Sequence, residues 1–281
     1  VHAHGYRAMI TCALARKKTE FRVVKTEHGL PEKSGSSLFK DFRTTLNHKL
    51  DLWATNSAAD AVCYVTDDIL QRYNLIHKSM NRQVTYNGIN PVDPGHYSRP
   101  DTFCGGQRNI VIVGRISEVK GIRYAIQAVS AMPGNTFLHI VGDGPLLDLH
   151  KALAEKLGVT DKIIFHGFQH NALDFIAHAD VLLMPSLHEG LPYTLLEAMS
   201  LGTPVIVSAV GGMAEIITNN ITGVLMPSKN SQAIVEACST VLGDEQFART
   251  LSENAAKLQR EKFTLDQMAE SYLKVYSDVS R

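Results

Sequence analysis

The chain has 281 residues, 44% hydrophobic and 20% charged, the composition of a core-forming globular protein of about two domains or one large one. Lys+Arg and Asp+Glu both number 28, so the net charge is zero and the basic footprint of a bulk nucleic-acid binder is missing. The four cysteines lack C-x-x-C or metal spacing and no apolar run approaches the roughly 18–20 residues of a membrane span, so a cytoplasmic protein with reduced thiols and no signal peptide is expected.

Short β-branched runs alternate with helical runs from the start. Val1 reads as the end of a strand and no Met precedes it, which predicts a first domain whose opening strands lie upstream. Strands are then predicted at 21–26, 61–66 and 83–88, and helices at about 6–18, 37–56 and 67–75, the last starting at Asp67–Asp68. The segment 36–53 sets Leu38, Phe39, Phe42, Leu46, Leu50 and Trp53 near one helical face, with Lys40, Arg43 and Lys49 around it. Two readings stand: a helix packed on the sheet, or one lying on a membrane surface. Residues 1–95 carry 13 cations against 9 anions and the remainder 15 against 19, a mild asymmetry that suits a first half beside an anionic surface.

Residues 90–107, with three prolines and three glycines and no periodicity, read as a linker. Beyond it the rhythm becomes regular, with strands predicted at 109–114, 137–142, 162–167, 181–185, 204–208 and 223–226, and two or three helices over about 230–280. Near-continuous apolar strands alternating with helices argue for an α/β fold with a Rossmann-like parallel sheet covered on both faces. The predicted division is a partial N-terminal domain at 1–95, a C-terminal domain at 96–262 and a closing helix at 263–281 that packs back towards the first.

Ligands of such sheets bind beyond the carboxyl ends of the strands, so the residues that follow each strand carry the functional argument. Arg115 and Lys120 follow one strand and suit a diphosphate; their plain reading is a solvated turn. Gly142 and Asp143 form a tight turn that a ligand can approach closely, or an ordinary βα turn. Phe168 offers a flat face to a base, while His166 and His170 lack a third metal ligand nearby in sequence. Glu189 and Glu197 lie eight positions apart across a helix predicted at about 192–201, opened by Pro192 and closed by Gly202. A carboxylate, an anion-attracting helix end and a second carboxylate match a sugar, a diphosphate and a ribose in that order.

The segments HAHG (2–5), TEHG (26–29), YNGIN (86–90), GRISEVKG (114–121), VGDGP (141–145), HEGLPYTLLEAMSLGTPVI (188–206) and GGMAEII (211–217) together resemble glycosyltransferase family 4, the glycosyl transferases group 1, of GT-B fold. The resemblance covers nearly the whole chain and implies two Rossmann-like domains facing across a cleft, the first lacking its upstream glycine-rich loop here. It implies a retaining, metal-independent hexosyltransferase that needs no cofactor and uses a nucleotide sugar, UDP being the commonest carrier, with a glycan or lipid-linked acceptor. Carried onto this sequence, Arg115 and Lys120 hold the diphosphate. Glu197 holds the ribose hydroxyls, Glu189 with Gly190 and Leu191 the donor sugar, Phe168 lies by the base, and Gly142–Asp143 lines the floor. His28 reaches the reaction centre, while His2 and His4 read as structural. The family's usual Asp after YNGI is Asn90 here. Two other readings remain: a non-catalytic nucleotide-sugar-binding fragment that needs a missing N-terminal segment, and a nucleotide-sugar epimerase of the same fold.

Overall fold

The β-branched runs form parallel strands that sort into two sheets, one of four strands and one of six. The computed structural model describes residues 1–30, 38–78 and 81–281, and the side chains of all of these except 38–41. The predicted face positions Leu38, Phe39 and Lys40 therefore lie outside the described side chains. The chain divides into unit 1, Val1–Gly88 with Leu265–Arg281, and unit 2, Ile89–Thr264.

Unit 1 begins with β1 (His2–His4), α1 (Gly5–Ala15), β2 (Val24–Glu27), α2 (Leu38–Ala58), β3 (Ala61–Tyr64), α3 (Asp67–Tyr73) and β4 (Asn81–Val84). Its sheet order is β1-β2-β3-β4, all parallel. Asp67 and Asp68 do open a helix, capped by Thr66, whose side chain accepts from the Ile69 amide. β2 is buried throughout despite its polar sequence VKTE. The reason is Lys25, fully buried, whose Nζ donates to Asp51 at 2.7 and 2.8 Å, to Thr55 at 2.9 Å and to Glu27. Asp51 and Thr55 belong to α2, so this ion cluster decides which way α2 faces. Its buried face carries Asp51, Ala54, Thr55 and Ala58, the two alanines packing on Met9, Cys12 and Ala13 of α1. The apolar stripe Phe42, Leu46, Leu50 and Trp53 is left exposed, at 41–67%. α2 thus packs on its domain, but not through its apolar face.

Unit 2 continues with β5 (Arg108–Val113), α4 (Ile122–Val129), β6 (Thr136–Val141), α5 (Leu147–Lys156), β7 (Ile163–Gly167), α6 (Ala172–Ala177), β8 (Val181–Met184), α7 (Tyr193–Leu201), β9 (Val205–Ser208), α8 (Gly211–Ile216), β10 (Val224–Met226), α9 (Ser231–Gly243) and α10 (Glu245–Lys262). The strand order is β10-β9-β8-β5-β6-β7. Ile110, Val111 and Ile112 of β5 are all buried, as are Leu138 and Ile140 of β6 and Val181–Met184 of β8, which is the pattern of a sheet covered on both faces. Each such side chain contributes roughly 1.5–3 kcal/mol on burial. The order places successive strands on one side of β5, then returns to its other side with β8. The switch point, where open sheets of this kind bind ligands, therefore lies beyond the carboxyl ends of β5 and β8.

The last helix, α11 (Leu265–Ser280), returns to unit 1. Its Val275 and Val279 pack on Val24, Ala61 and Cys63 of the four-stranded sheet.

Candidate active site

Two loops meet at the switch point of unit 2. After β5 come Gly114, the exposed Arg115 and a single 3-10 turn, Glu118–Lys120. After β8 come Ser186, His188 and Glu189. Lys120 Nζ donates to Glu189 Oε1 at 2.6 Å, and Ser186 Oγ donates to the same oxygen at 2.8 Å. The Leu187 amide donates to the Val119 carbonyl at 2.7 Å, which ties the loops together by backbone. Lys120 and Glu189 are 22% and 12% exposed, so the pair is half-sheltered and its attraction exceeds that of a surface ion pair.

Glycines let these loops approach. A Cβ on Gly142 would lie 2.0 Å from the Gly114 carbonyl oxygen, and φ is +137° there. A Cβ on Gly211, at the start of α8, would lie 2.0 Å from the carbonyl oxygen of Glu189. The first contact holds the ends of β5 and β6 together, and the second presses α8 against the Glu189 loop.

α7 starts at Tyr193, with Pro192 at its N-cap in extended backbone (ψ 134°), and ends at Gly202 in left-handed backbone. The predicted start at Pro192 is thus one residue early, because an extended ψ keeps proline outside the helix. Glu189 precedes the helix and Glu197 lies within it, as the spacing requires. Glu197 is half-buried, and burial raises its carboxyl above the usual range. Among the described residues no side chain pairs with it.

Of the other predicted positions, Gly190 is half-buried and Leu191 is 3% exposed. Asp143 is exposed, its Oδ1 accepting from the Gly144 amide at 2.6 Å. Phe168 is 68% exposed and stands edge-on to His170, with ring centroids 4.9 Å apart. His166 has a different partner: its Nε2 lies 3.0 Å from Nδ1 of the buried His139, and its ring packs on Phe175.

In unit 1, His28 directly follows β2 and stands at the surface. Its Nε2 lies 2.8 Å from Nδ1 of His4, and the two rings stack. Partial desolvation, with the His4 ring beside it, lowers the His28 pKa below the usual imidazole value.

Ser186 is not among the predicted positions, because a serine three residues before a glutamate carries no spacing signal for contact; the contact of His4, read as structural, with His28 likewise has no signature in the sequence. His188 Nε2, in the loop after β8, and Ser208 Oγ, at the end of β9, are buried and have no hydrogen-bond partner among the described residues.

The family model described as "Glycosyl transferases group 1" matches residues 98–258, more than half of the chain. The chain belongs to this family. It is 28% identical to an uncharacterized glycosyltransferase of Methanocaldococcus jannaschii, over 98% of this chain and 74% of that one. It is 26% identical to the N-acetyl-alpha-D-glucosaminyl L-malate synthase of Bacillus anthracis, over 79% of this chain and 61% of that one. The structure of Anabaena HepE in complex with UDP-glucose superposes with a TM-score of 0.86 at 20% identity, covering 99% of this chain and 78% of the other. The fold is α/β with two parallel sheets, GT-B. These overlaps span nearly all of this chain and about three quarters of each of those two proteins. No helix among the described residues is long and apolar enough to cross a membrane.

Proposed function

We propose that this glycosyltransferase moves a hexosyl group from a nucleotide diphosphate sugar, a UDP-sugar in the first instance, to a hydroxyl of a glycan or lipid-linked acceptor with retention at the anomeric carbon. The observation that carries the reading is the Lys120–Glu189 pair at the switch point, with Arg115 on the adjoining loop and Glu197 inside the following helix. A cation opposite a sugar-binding carboxylate suits the junction of a diphosphate and a hexose. Glu197 keeps free acceptor capacity for ribose hydroxyls, and the exposed Phe168 offers a face to the base. The orphaned His188 Nε2 is a further group that a bound ligand would satisfy.

The chemistry then runs on one face of the sugar. The bond from the anomeric carbon to the diphosphate oxygen breaks, the bond to the acceptor oxygen forms, and the acceptor proton passes to the departing diphosphate. Arg115 and Lys120 stabilise the charge that develops on the diphosphate, so no metal ion is called for. The family resemblance gives His28 the role of contacting the donor sugar or the acceptor. The names of the relatives support the class: HepE is described in complex with UDP-glucose, and the Bacillus anthracis relative is an N-acetyl-alpha-D-glucosaminyl L-malate synthase.

The test is a panel of nucleotide sugars read by nucleotide release, with the anomeric configuration of any product assigned by NMR. Release from no donor, or an inverted product, overturns the reading. A donor interconverted without release would mark an epimerase instead.

Peripheral contact with a membrane surface, at a cytoplasmic face, has its own support in the exposed stripe of α2. Phe42, Leu46, Leu50 and Trp53 follow helical spacing, with Arg43 and Lys49 on the two flanks and Lys17 over the Trp53 ring at 5.8 Å.

A further inference from the structure

Unit 1 contains a cavity of about 280 Å³ that no part of the donor site uses. It opens where β2 ends and α2 passes, and its wall includes Glu27, Thr44, Asn47, His48, Asp51 and Tyr6. Ligand sites run from roughly 300 to 1,000 Å³, so this one holds a single ring and little more. Thr44, Asn47 and His48 are half-buried and supply hydrogen-bonding groups from one side of α2, three and four residues apart as helix spacing demands. Tyr6 supplies an aromatic face.

The charge of the wall is unusual. Glu27 and Asp51 are each only 9% exposed and share one cation, Lys25, which is sealed beneath them at zero exposure. Lys25 spends its donors on these two carboxylates and Thr55, leaving none for a ligand. The two nearby imidazoles do not supply the missing charge: burial lowers the pKa of His48, which lines the cavity beside Asp51, and the buried His77 is lowered further. Burial, with Lys25, His48 and Arg82 nearby, lowers its pKa to about 3. The His77 Nε2 is buried, has no hydrogen-bond partner among the described residues and lies 3.7 Å from Glu27 Oε1. Among the described residues no lysine or arginine lines the cavity. Among the described residues two acids therefore face one cation, and this part of the wall carries an uncompensated negative charge or a retained proton. Burial raises the Glu27 pKa to about 7, which says the same thing from the side of the proton.

We propose that this cavity receives one amine-bearing sugar or cyclitol ring, takes its uncharged hydroxyl counterpart less well, and rejects the phosphorylated or carboxylated one. An ammonium placed against Glu27 and Asp51 supplies the second cation that the cluster lacks, and ring hydroxyls donate to Asn47 and Thr44. A phosphate or carboxylate would meet two buried carboxylates with no free cation among the described residues, a like-charge juxtaposition that disfavours both. The identification of the occupant as the acceptor rests on the proposed transferase reading; the charge preference of the cavity does not.

Four probes of the same ring test this: D-glucosamine, D-glucose, D-glucose 6-phosphate and D-glucuronate, titrated calorimetrically near neutral pH onto the unsubstituted chain. The expected order is glucosamine, then glucose, with no binding of the two anions. Asn47→Phe fills the cavity from a half-buried helix position and should abolish glucosamine binding while the UDP isotherm, which reports unit 2, is retained. Asp51→Asn removes the excess charge and should bring glucosamine down to the level of glucose. Should Asp51→Asn fail to fold, Asn47→Phe and the four-probe ranking decide alone. Glucose 6-phosphate binding as tightly as glucosamine, no binding of any probe, or glucosamine binding that survives Asn47→Phe overturns the inference. Absence of UDP binding by the unsubstituted chain would instead count against the donor reading, so the two failures are distinguishable.

Discussion

His28 Nε2 and His4 Nδ1 lie 2.8 Å apart with their rings stacked, so one proton at most sits between them. The contact couples the tautomer and the orientation of His28, proposed above to contact the donor sugar or acceptor, to those of His4. His4→Ala should lower kcat by about tenfold while the donor KM holds, as expected of a positioning residue. His4 also lowers the His28 pKa, so its loss should move the acid limb of the rate profile to higher pH. His4→Gln, which keeps a polar partner, should recover part of the rate. An unchanged pH profile in His4→Ala would exclude the coupling.

Lys120 and Glu189 neutralise each other at 2.6 Å before any donor arrives. Lys120→Ala should weaken UDP binding by roughly tenfold or more, as loss of a charge-assisted contact does. Glu189→Gln frees Lys120 and should leave UDP affinity equal or tighter while transfer falls by about a hundredfold. Calorimetry with UDP and a transfer assay on the same two variants separate these effects.

Gly211→Ala sets a methyl group 2.0 Å from the Glu189 carbonyl oxygen. Neither backbone can yield cheaply, so a loss of about 2–4 kcal/mol is expected. Gly142→Ala, against the Gly114 carbonyl with φ at +137°, should cost a similar amount. Urea unfolding measures both, and wild-type midpoints would refute the backbone packing described.

The Glu27 carboxyl is raised from about 4.5 to about 7 by burial. Between those values the folded chain holds a proton that the unfolded chain releases, so this group's contribution to stability is present at low pH and lost as pH rises towards 7. Glu27→Gln keeps the hydrogen-bonding shape without the titration. The difference in Tm between wild type and Glu27→Gln should therefore change across this window and flatten above it. A constant difference would mean that Glu27 titrates normally.

The exposed α2 stripe predicts binding to anionic vesicles. Phosphatidylglycerol vesicles should sediment the wild-type chain, and Phe42→Ser with Leu46→Ser should remove most of that binding, each lost apolar side chain costing roughly 1–2 kcal/mol. Equal sedimentation of the double variant would dismiss the stripe as a membrane contact.

The unit 2 strands were legible because a parallel sheet with both faces covered writes itself as unbroken apolar runs; β5 through β10 fall within a residue of their expected bounds. Unit 1 was harder. β2 was expected at 21–26 and occupies Val24–Glu27, because the Val23 amide is taken by the Asp60 side chain at 2.7 Å. β4 was expected at 83–88 but occupies Asn81–Val84, a polar edge strand without an apolar run to reveal it. The candidate site residues stand one by one at predicted strand ends, and their proposed roles come from the family resemblance. The pairing of Lys120 with Glu189 joins positions 69 apart, and that of Lys25 with Asp51 joins positions 26 apart. Such contacts depend on which loops the topology brings together, and spacing along the chain does not contain it.

The return of α11 to unit 1 sets an order on biosynthesis. Val24, Ala61 and Cys63 leave the ribosome before unit 2, but the Val275 and Val279 side chains that cover them leave it only after unit 2. Unit 2, continuous from Ile89 to Thr264, can finish folding while the nascent unit 1 sheet still waits for its cover. In the interval that sheet exposes an apolar face, which makes unit 1 the part of the chain with most need of a chaperone.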